Sequence, residues 1–465
     1  GAGNLVALGV GAIIGAGLFV RTAAAAGQAA GPAVVVSFII AAVGCAFAGL
    51  CYAEFASMIP VAGSAYTYAY ATLGELVAWA IGWSLILEYA LGAATVAISW
   101  SQYLNNLMGG SIPYEWCHSP LEHTADGVYG ILNVPALFIL TIITLILIKG
   151  TQESAFVNAI IVVVKVSIVL IFIALGWKFI NPNNYVPFFI PADAPDVVAA
   201  NGETHSYAPL FNHGFFGVLR GAGIVFFAFI GFDAVSTAAQ ETKNPKRDMP
   251  IGILGSLAIC TVLYILFSHV LTGVAPFTDF IKEGKEASVA YAIQQYMPGY
   301  GWMATMVSAS ILIGFSAVIL AMLFGQSRVF FSMSNDRLIP RIFSDLHSSF
   351  KTPYKSNLIL LVFTGAIAGF VPESVTGDLT SIGTLFAFAL VCLGIMVMRK
   401  TDPNTERPFR TPLVPLVPIL GILVCVSLII GLDPMTQIVA AVWLVIGLVI
   451  YFTYSKKHSA LRNLK

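Results

Sequence analysis

Apolar runs long enough to cross a hydrocarbon core of roughly 30 Å recur along the whole chain, separated by short polar segments. They fall near 3–26, 31–58, 73–107, 133–150 and 154–177, then near 214–240, 251–275, 299–333, 357–371 and 377–398, with two more near 413–432 and 435–454. The pattern predicts an all-α polytopic membrane protein with about twelve transmembrane helices. Their alphabet of Leu, Ile, Val, Ala, Gly and Phe favours helices over the alternating strands of a barrel. The third and eighth runs exceed a bilayer's thickness and require tilt or protruding ends. The chain divides into a first five-helix group (1–177), a Pro- and Asn-rich loop (178–213), a second five-helix group (214–398), a short loop (399–412), and a final helix pair with a tail (413–465). A stretch near 278–296, with Ile281, Ala287, Val289 and Tyr291 among charges, has the pattern of a surface amphipathic helix.

Composition sharpens this picture. The 465 residues are 58% hydrophobic and 10% charged, with a mean hydropathy of +0.86, whereas soluble proteins carry about 25% charged residues. Charge is sparse because an ionised group at the bilayer centre costs roughly 2.5 to 3.5 kcal/mol or more. Formal net charge is zero, so no field points to nucleic acid. Most of the 23 Lys and Arg, including Lys149, Lys243, Lys246, Arg247, Arg328, Arg337, Arg399 and Lys456, collect on one side if the first span starts inside. This asymmetry predicts cytoplasmic termini, in the cell (plasma) inner membrane, and leaves Arg21, Lys178, Arg220, Lys282 and Lys285 on or near the outer side. Five of the six cysteines lie in apolar spans as small hydrophobes; only Cys117 falls in an outer loop. No cleavable signal peptide is evident, and an upstream cytoplasmic tail stays open.

Two spans are interrupted. The first reads Gly9-Val10-Gly11-Ala12-Ile13-Ile14-Gly15-Ala16-Gly17-Leu18-Phe19, and the sixth reads Phe226-Phe227-Ala228-Phe229-Ile230-Gly231-Phe232-Asp233. Glycine lowers helix propensity by about 1 kcal/mol against alanine and admits a close neighbour, so an unwound turn is expected in both. Each opens a five-helix group, and five is odd, so the second group enters the membrane from the opposite face. This is inverted-repeat topology. In such proteins the broken helices meet near the midplane, where half-helix N-termini receive a carboxylate and unwound carbonyls receive a cation or ammonium. The alternative is that the glycines only permit close helix packing.

The same residues carry a family resemblance. Gly11 to Phe19, Phe226 to Asp233, and Glu241 to Gly252 closely resemble the amino acid/polyamine/organocation superfamily, the last block most like its cationic amino acid transporter branch. Gly82 to Tyr89 and Gly325-Gln326-Ser327-Arg328 extend the similarity over the whole chain. The resemblance implies a leucine-transporter-type fold of five plus five helices with two more at the C-terminal end. It implies that a substrate carboxylate meets the N–H groups of Gly15, Ala16 and Gly17, and its ammonium the carbonyls of Ile13, Phe227 and Ile230. Phe227 either shields the site or packs as an ordinary apolar side chain. This sequence departs from its relatives at Ala16, where a hydroxyl residue is common, at Gln240, where many have Glu, and at Ser84, where many have Asp.

Charges within the spans are the remaining candidates. Lys165 sits more than two helical turns from either end of its run, too deep to snorkel. By resemblance a lysine here replaces sodium and couples transport to protons, near Gly9, Ala12 and Ser316; the alternative is permanent pairing with a carbonyl or acid. Asp233 and Glu88 are candidates for gating or proton relay, with a plain interhelical hydrogen bond the alternative for Glu88. Glu54 and Glu75 read as solvated groups at cytoplasmic span ends. Ala16, Ala228 and Met322 suit a neutral side chain. Together these imply a non-enzyme secondary active transporter, a proton-coupled symporter of neutral or broad-range L-amino acids working by alternating access. Transport or exchange of arginine or lysine is the alternative, and an amino-acid sensor without turnover a distant one. No cofactor beyond H+ and no metal is expected: Cys117, His118 and His123 lack the matched pairs of a zinc site. No phosphate-binding loop or catalytic triad appears. Expected partners are the amino acid and membrane lipids, with a small single-span subunit or an oligomer left open.

Overall fold

The computed structural model describes residues 1–59, 64–150, 155–233, 235, 242–283 and 288–463. Gln240, Glu241, Lys285 and Ala287 lie outside them. The first span is split in two. Helix α1 (Ala2–Ile13) stops at Ile14, whose ψ of 116° is extended, and a helical run (17–30, α2) resumes with a π-turn at Gly17–Arg21. Helices α3 (Val34–Met58), α4 (Ala65–Thr72), α5 (Glu75–Leu107), α6 (Val134–Lys149) and α7 (Ala155–Gly176) follow. The sixth span is α8 (Gly214–Val225), which tightens into a 3-10 turn, Phe226–Phe229, and ends at Ile230 with ψ 131°. Then come α9 (Pro245–Val274), the short α10 (Asp279–Lys282) and α11 (Ser288–Tyr296), α12 (Gly301–Asn335), α13 (Tyr354–Phe370), α14 (Glu373–Thr401), α15 (Leu416–Gly431) and α16 (Pro434–Ile450).

Among the described residues seven helices are long and apolar enough to cross a membrane, and five shorter apolar helices accompany them. They overlap the runs read from the sequence, with shifted ends and with the first run divided between Ala2–Ile13 and the helical stretch Gly17–Met58. Helix α9 starts at Pro245 rather than at 251. Proline at the first helical position loses no bond and has a helical φ already, so the polar Lys-Arg-Asp turn extends the helix outward. The ends of α6 show why boundaries fall where they do. Asn133 caps its start by accepting from the Ala136 N–H at 3.4 Å, and Gly150, at φ 75°, closes its end. Such caps satisfy backbone groups that the helix itself leaves unpaired.

Helix α5 is the most deeply buried of the long helices, whereas α7 and α16 expose most of their apolar windows. That contrast separates the central helix from those facing lipid. Helix α16 is held to α5 by stacked indoles: Trp83 lies 4.4 Å from Trp443 ring to ring, and each Nε1–H donates to the other's carbonyl, at 2.6 and 3.2 Å. The long loop carries a two-stranded antiparallel ribbon, β1 (Val197–Val198) with β2 (Thr204–His205). It is tied to the end of α2, where Tyr207 donates to the Gly27 carbonyl and His205 Nε2 lies 2.7 Å from the Gln28 carbonyl.

Candidate functional site at the paired helix breaks

The two interruptions touch. A β-carbon added at Gly17 would lie 2.2 Å from the Ala228 Cα, so only glycine lets α2 begin against the 3-10 turn that ends α8. Gly231, at φ 122°, faces the Ala12 carbonyl oxygen, 2.6 Å from where its β-carbon would stand. Each break is thus built against the other. The residues between them are enclosed: Ile13, Phe227 and Ile230 are 3% exposed, and Ala16 and Ala228 are fully buried.

The backbone polarity of this region follows from the breaks. Leu18 and Phe19 N–H already reach back to the Gly15 carbonyl, at 3.1 and 3.3 Å. The N–H groups of Gly15, Ala16 and Gly17 precede any intrahelical acceptor and point out of the N-terminal end of α2. At the other end of the gap, α1 leaves its last carbonyls without helical donors. Lys165, from α7, donates to the Gly11 carbonyl at 2.7 Å. Tyr264, from α9, donates to Ile13 O at 3.2 Å and to Ala228 O at 2.6 Å, spanning both breaks. Ile13 O keeps a second lone pair. The Phe227 carbonyl accepts from the Ile230 N–H at 3.3 Å.

Lys165 is buried, with Gly314 of α12 packed along its methylenes. The ammonium is at the end of α1, next to Ala12, where three successive carbonyls lose their helical donors and the helix dipole is negative.

Asp233 and Glu88 are brought together, both buried, with Glu88 beside Asp233 and Tyr89 donating to Asp233 Oδ2 at 2.9 Å. The two carboxyl groups face each other within the protein. Met322 and Thr380 both pack on Gly92, and Met322 is one turn along α12 from Val318, which packs on Gly15. Its side chain is therefore on the face of α12 that approaches the break.

Charged groups near the span ends are paired within the protein, which corrects the solvated readings of Glu54 and Glu75. Arg21, counted on or near the outer side, is 1% exposed and pairs with Asp378 and with Glu373, the latter at 3.4 Å, while its Nε donates to Ile224 O. Glu54, read as solvated, is fully buried and accepts from Arg399 at 2.5 Å and from the Thr411 N–H at 2.8 Å, with Arg407 3.5 Å away. Glu75 is likewise paired, with Ser459 and Tyr451 donating to it and Arg462 nearby. Partners far along the chain, rather than water, make these charges tolerable. Sequence reasoning also missed Tyr264, since a tyrosine inside an apolar run carries no signal of what its hydroxyl meets.

The comparisons fit this geometry. The amino acid permease family matches residues 3–463. The chain is 43% identical to the branched-chain amino acid permease BcaP of Bacillus subtilis (strain 168), over 100% of this chain and 94% of that protein. It is 39% identical to the methylthioribose transporter of the same organism, over 99% of this chain and 94% of the relative. It is 35% identical to the vacuolar cationic amino acid transporter 4 of Arabidopsis thaliana, over 86% of this chain and 63% of that one. With these matches and its array of long apolar helices, the chain belongs to the amino acid permease family of the amino acid/polyamine/organocation superfamily and is an integral membrane permease.

Proposed function

We propose that this chain is a secondary active transporter that carries neutral or broad-range L-amino acids in symport with protons, by alternating access. The observation that carries the reading is the contact of the two breaks, with Gly17 seated on Ala228. In this reading the N–H groups of Gly15, Ala16 and Gly17 form a donor end for an α-carboxylate, and the carbonyls of Ile13, Phe227 and Ile230 an acceptor end for an α-ammonium. The small side chains of Ala16 and Ala228, with Met322 as a polarisable wall, suit a neutral substrate side chain in this reading. The branched-chain permease among the relatives supports a neutral substrate.

Lys165 is the coupling residue in this reading. Protonated, it holds the Gly11 carbonyl and with it the end of α1; deprotonated, it loses the charge-assisted part of that bond and frees α1 to move. Asp233 and Glu88 serve as gate or relay. The architecture proposed is twelve spans as a five-plus-five inverted repeat with two added helices, both termini cytoplasmic, in the cell's inner membrane.

The test is uptake of labelled leucine, alanine and arginine into proteoliposomes under an imposed proton gradient. Saturable, gradient-driven leucine or alanine flux supports the reading, and no saturable flux for any amino acid overturns it. A second reading, transport of arginine or lysine, draws on the buried pair Glu88 and Asp233, which offers negative charge to a second ammonium or a guanidinium. Arginine uptake that neutral amino acids fail to compete would favour it.

A further inference from the structure

Two concavities on the lipid-facing side of α3 and α9 share one residue, Leu254, and so form a single groove. At its polar end the groove is about 660 Å³ and is lined by Asn244, Lys246, Arg247 and Pro250 of α9 and its cap, with Pro408 and Phe409 opposite. Its second part, about 340 Å³, is wholly apolar apart from Thr261 and runs between the two helices. There α3 contributes Ile39, Ala42, Val43 and Ala46, at the spacing of one helical face, and α9 contributes Leu257, Ala258 and Ile265. Alanines make the floor and the larger aliphatic side chains make the walls.

We propose that this groove binds an anionic glycerophospholipid, its phosphate held by Lys246 and Arg247 and one acyl chain laid along the apolar part. Charge complementarity fixes the occupant. Lys246 and Arg247 are exposed and neither forms an ion pair among the described residues, while Asp248 on the same turn is buried. A bare apolar groove would accept any acyl chain; a groove ending on two unpaired cations at the membrane surface selects negative headgroups, because each such cation adds attraction to anionic lipid. Dimensions agree as well. From Arg247 to Thr261 the helix rises about 21 Å at 1.5 Å per residue, about the depth of one leaflet with its headgroups.

The site has a structural connection. Phe409 N–H donates to Ser57 Oγ of α3 at 3.3 Å, and the same segment is fastened to Glu54 through Thr411 and Arg407. A lipid seated here touches α9 on one side and this latched segment on the other. It lies on the lipid-facing surface rather than at the helix breaks, so it stands or falls independently of the transport reading.

The test is native mass spectrometry of the full chain released from nanodiscs containing phosphatidylglycerol and phosphatidylcholine. Preferential retention of phosphatidylglycerol is expected. The double variant Lys246→Ala, Arg247→Ala should lower that retention about tenfold or more without changing phosphatidylcholine, and Ala258→Trp, which fills the gully from an exposed position, should lower both. Lys456→Ala, Lys457→Ala, a basic pair elsewhere, should change nothing. Equal retention of the two lipids, an unaffected double variant, or full competition by soluble glycerol phosphate would each overturn the proposal.

Discussion

The Lys165 ammonium donates to the Gly11 carbonyl, joining a lipid-flanked helix to the broken end of the first one across 154 positions of sequence. The bond falls where α1 runs out of its own donors, so the lysine does for this helix end what a further turn of helix would otherwise do. Lys165→Gln preserves a donor but removes the titratable charge. Proton-driven uptake should fall by at least tenfold, while exchange of labelled for unlabelled substrate at equal pH on both sides should persist. Intact gradient-driven accumulation in the glutamine variant would remove Lys165 from coupling.

Gly17→Ala places a methyl into the Ala228 backbone, and neither side of that contact is a flexible side-chain end. Overpacking of this kind costs about 1 to 3 kcal/mol. The expected result is a lowered Tm and lost uptake, whereas Gly3→Ala, in open space on α1, should match the parent. A Gly17→Ala protein with parental Tm and flux would show that the breaks are not in close contact.

Arg21 is a buried cation with two buried carboxylates from α14. Arg21→Met leaves Glu373 and Asp378 facing each other without a counter-charge, which costs about 3 to 5 kcal/mol. Adding Glu373→Gln and Asp378→Asn should return most of that stability, measured as Tm by intrinsic fluorescence. Failure of the triple variant to recover would mean that Arg21 stabilises through packing on Gly377 rather than through its charge.

Glu54→Gln weakens the clasp between α3, Arg399 and the 402–412 segment. The arginines retain their carbonyl acceptors at Thr411, Pro403, Thr405 and Asp402, so the protein should remain folded. The segment itself should open more often. Limited trypsin digestion ought to cleave after Arg410 several times faster than in the parent, and an unchanged rate would count against the clasp.

In the long loop, burial pushes the His205 imidazole below the ordinary histidine value of 6.5, against the opposing pull of its bond to the Gln28 carbonyl. A lowered folded value means that the unfolded loop binds the proton more readily. The loop's attachment is therefore complete above pH 6.5 and weakens as pH falls below it toward the folded value. Hydrogen exchange of residues 197–207 should accelerate at pH 5 relative to pH 7.5, and His205→Gln should flatten the difference.

The glycine breaks and the helical spans were legible in the sequence because bilayer solvation imposes length and because glycine has few reasons to cluster at mid-span. Lys165 was legible for the same reason, as a charge out of place. Arg21 and Glu54 were not. A charge near a span end looks inexpensive whether it meets water or a partner, and their partners stand 352 and 345 positions away. Tyr264 was invisible for a different reason, since its ring satisfies the apolar pattern while its hydroxyl meets two carbonyls that exist as acceptors only because two other helices break.

That hydroxyl has a consequence of its own. A phenol carries one proton, and here Ile13 and Ala228 both stand within reach of it. When the two broken helices are together, one proton serves both oxygens by division; when they part, it must go wholly to one and leave the other to water or to an incoming ligand. Tyr264 thus ties the spacing of the breaks to an unmet demand for a donor, and an arriving ammonium group can fill that vacancy.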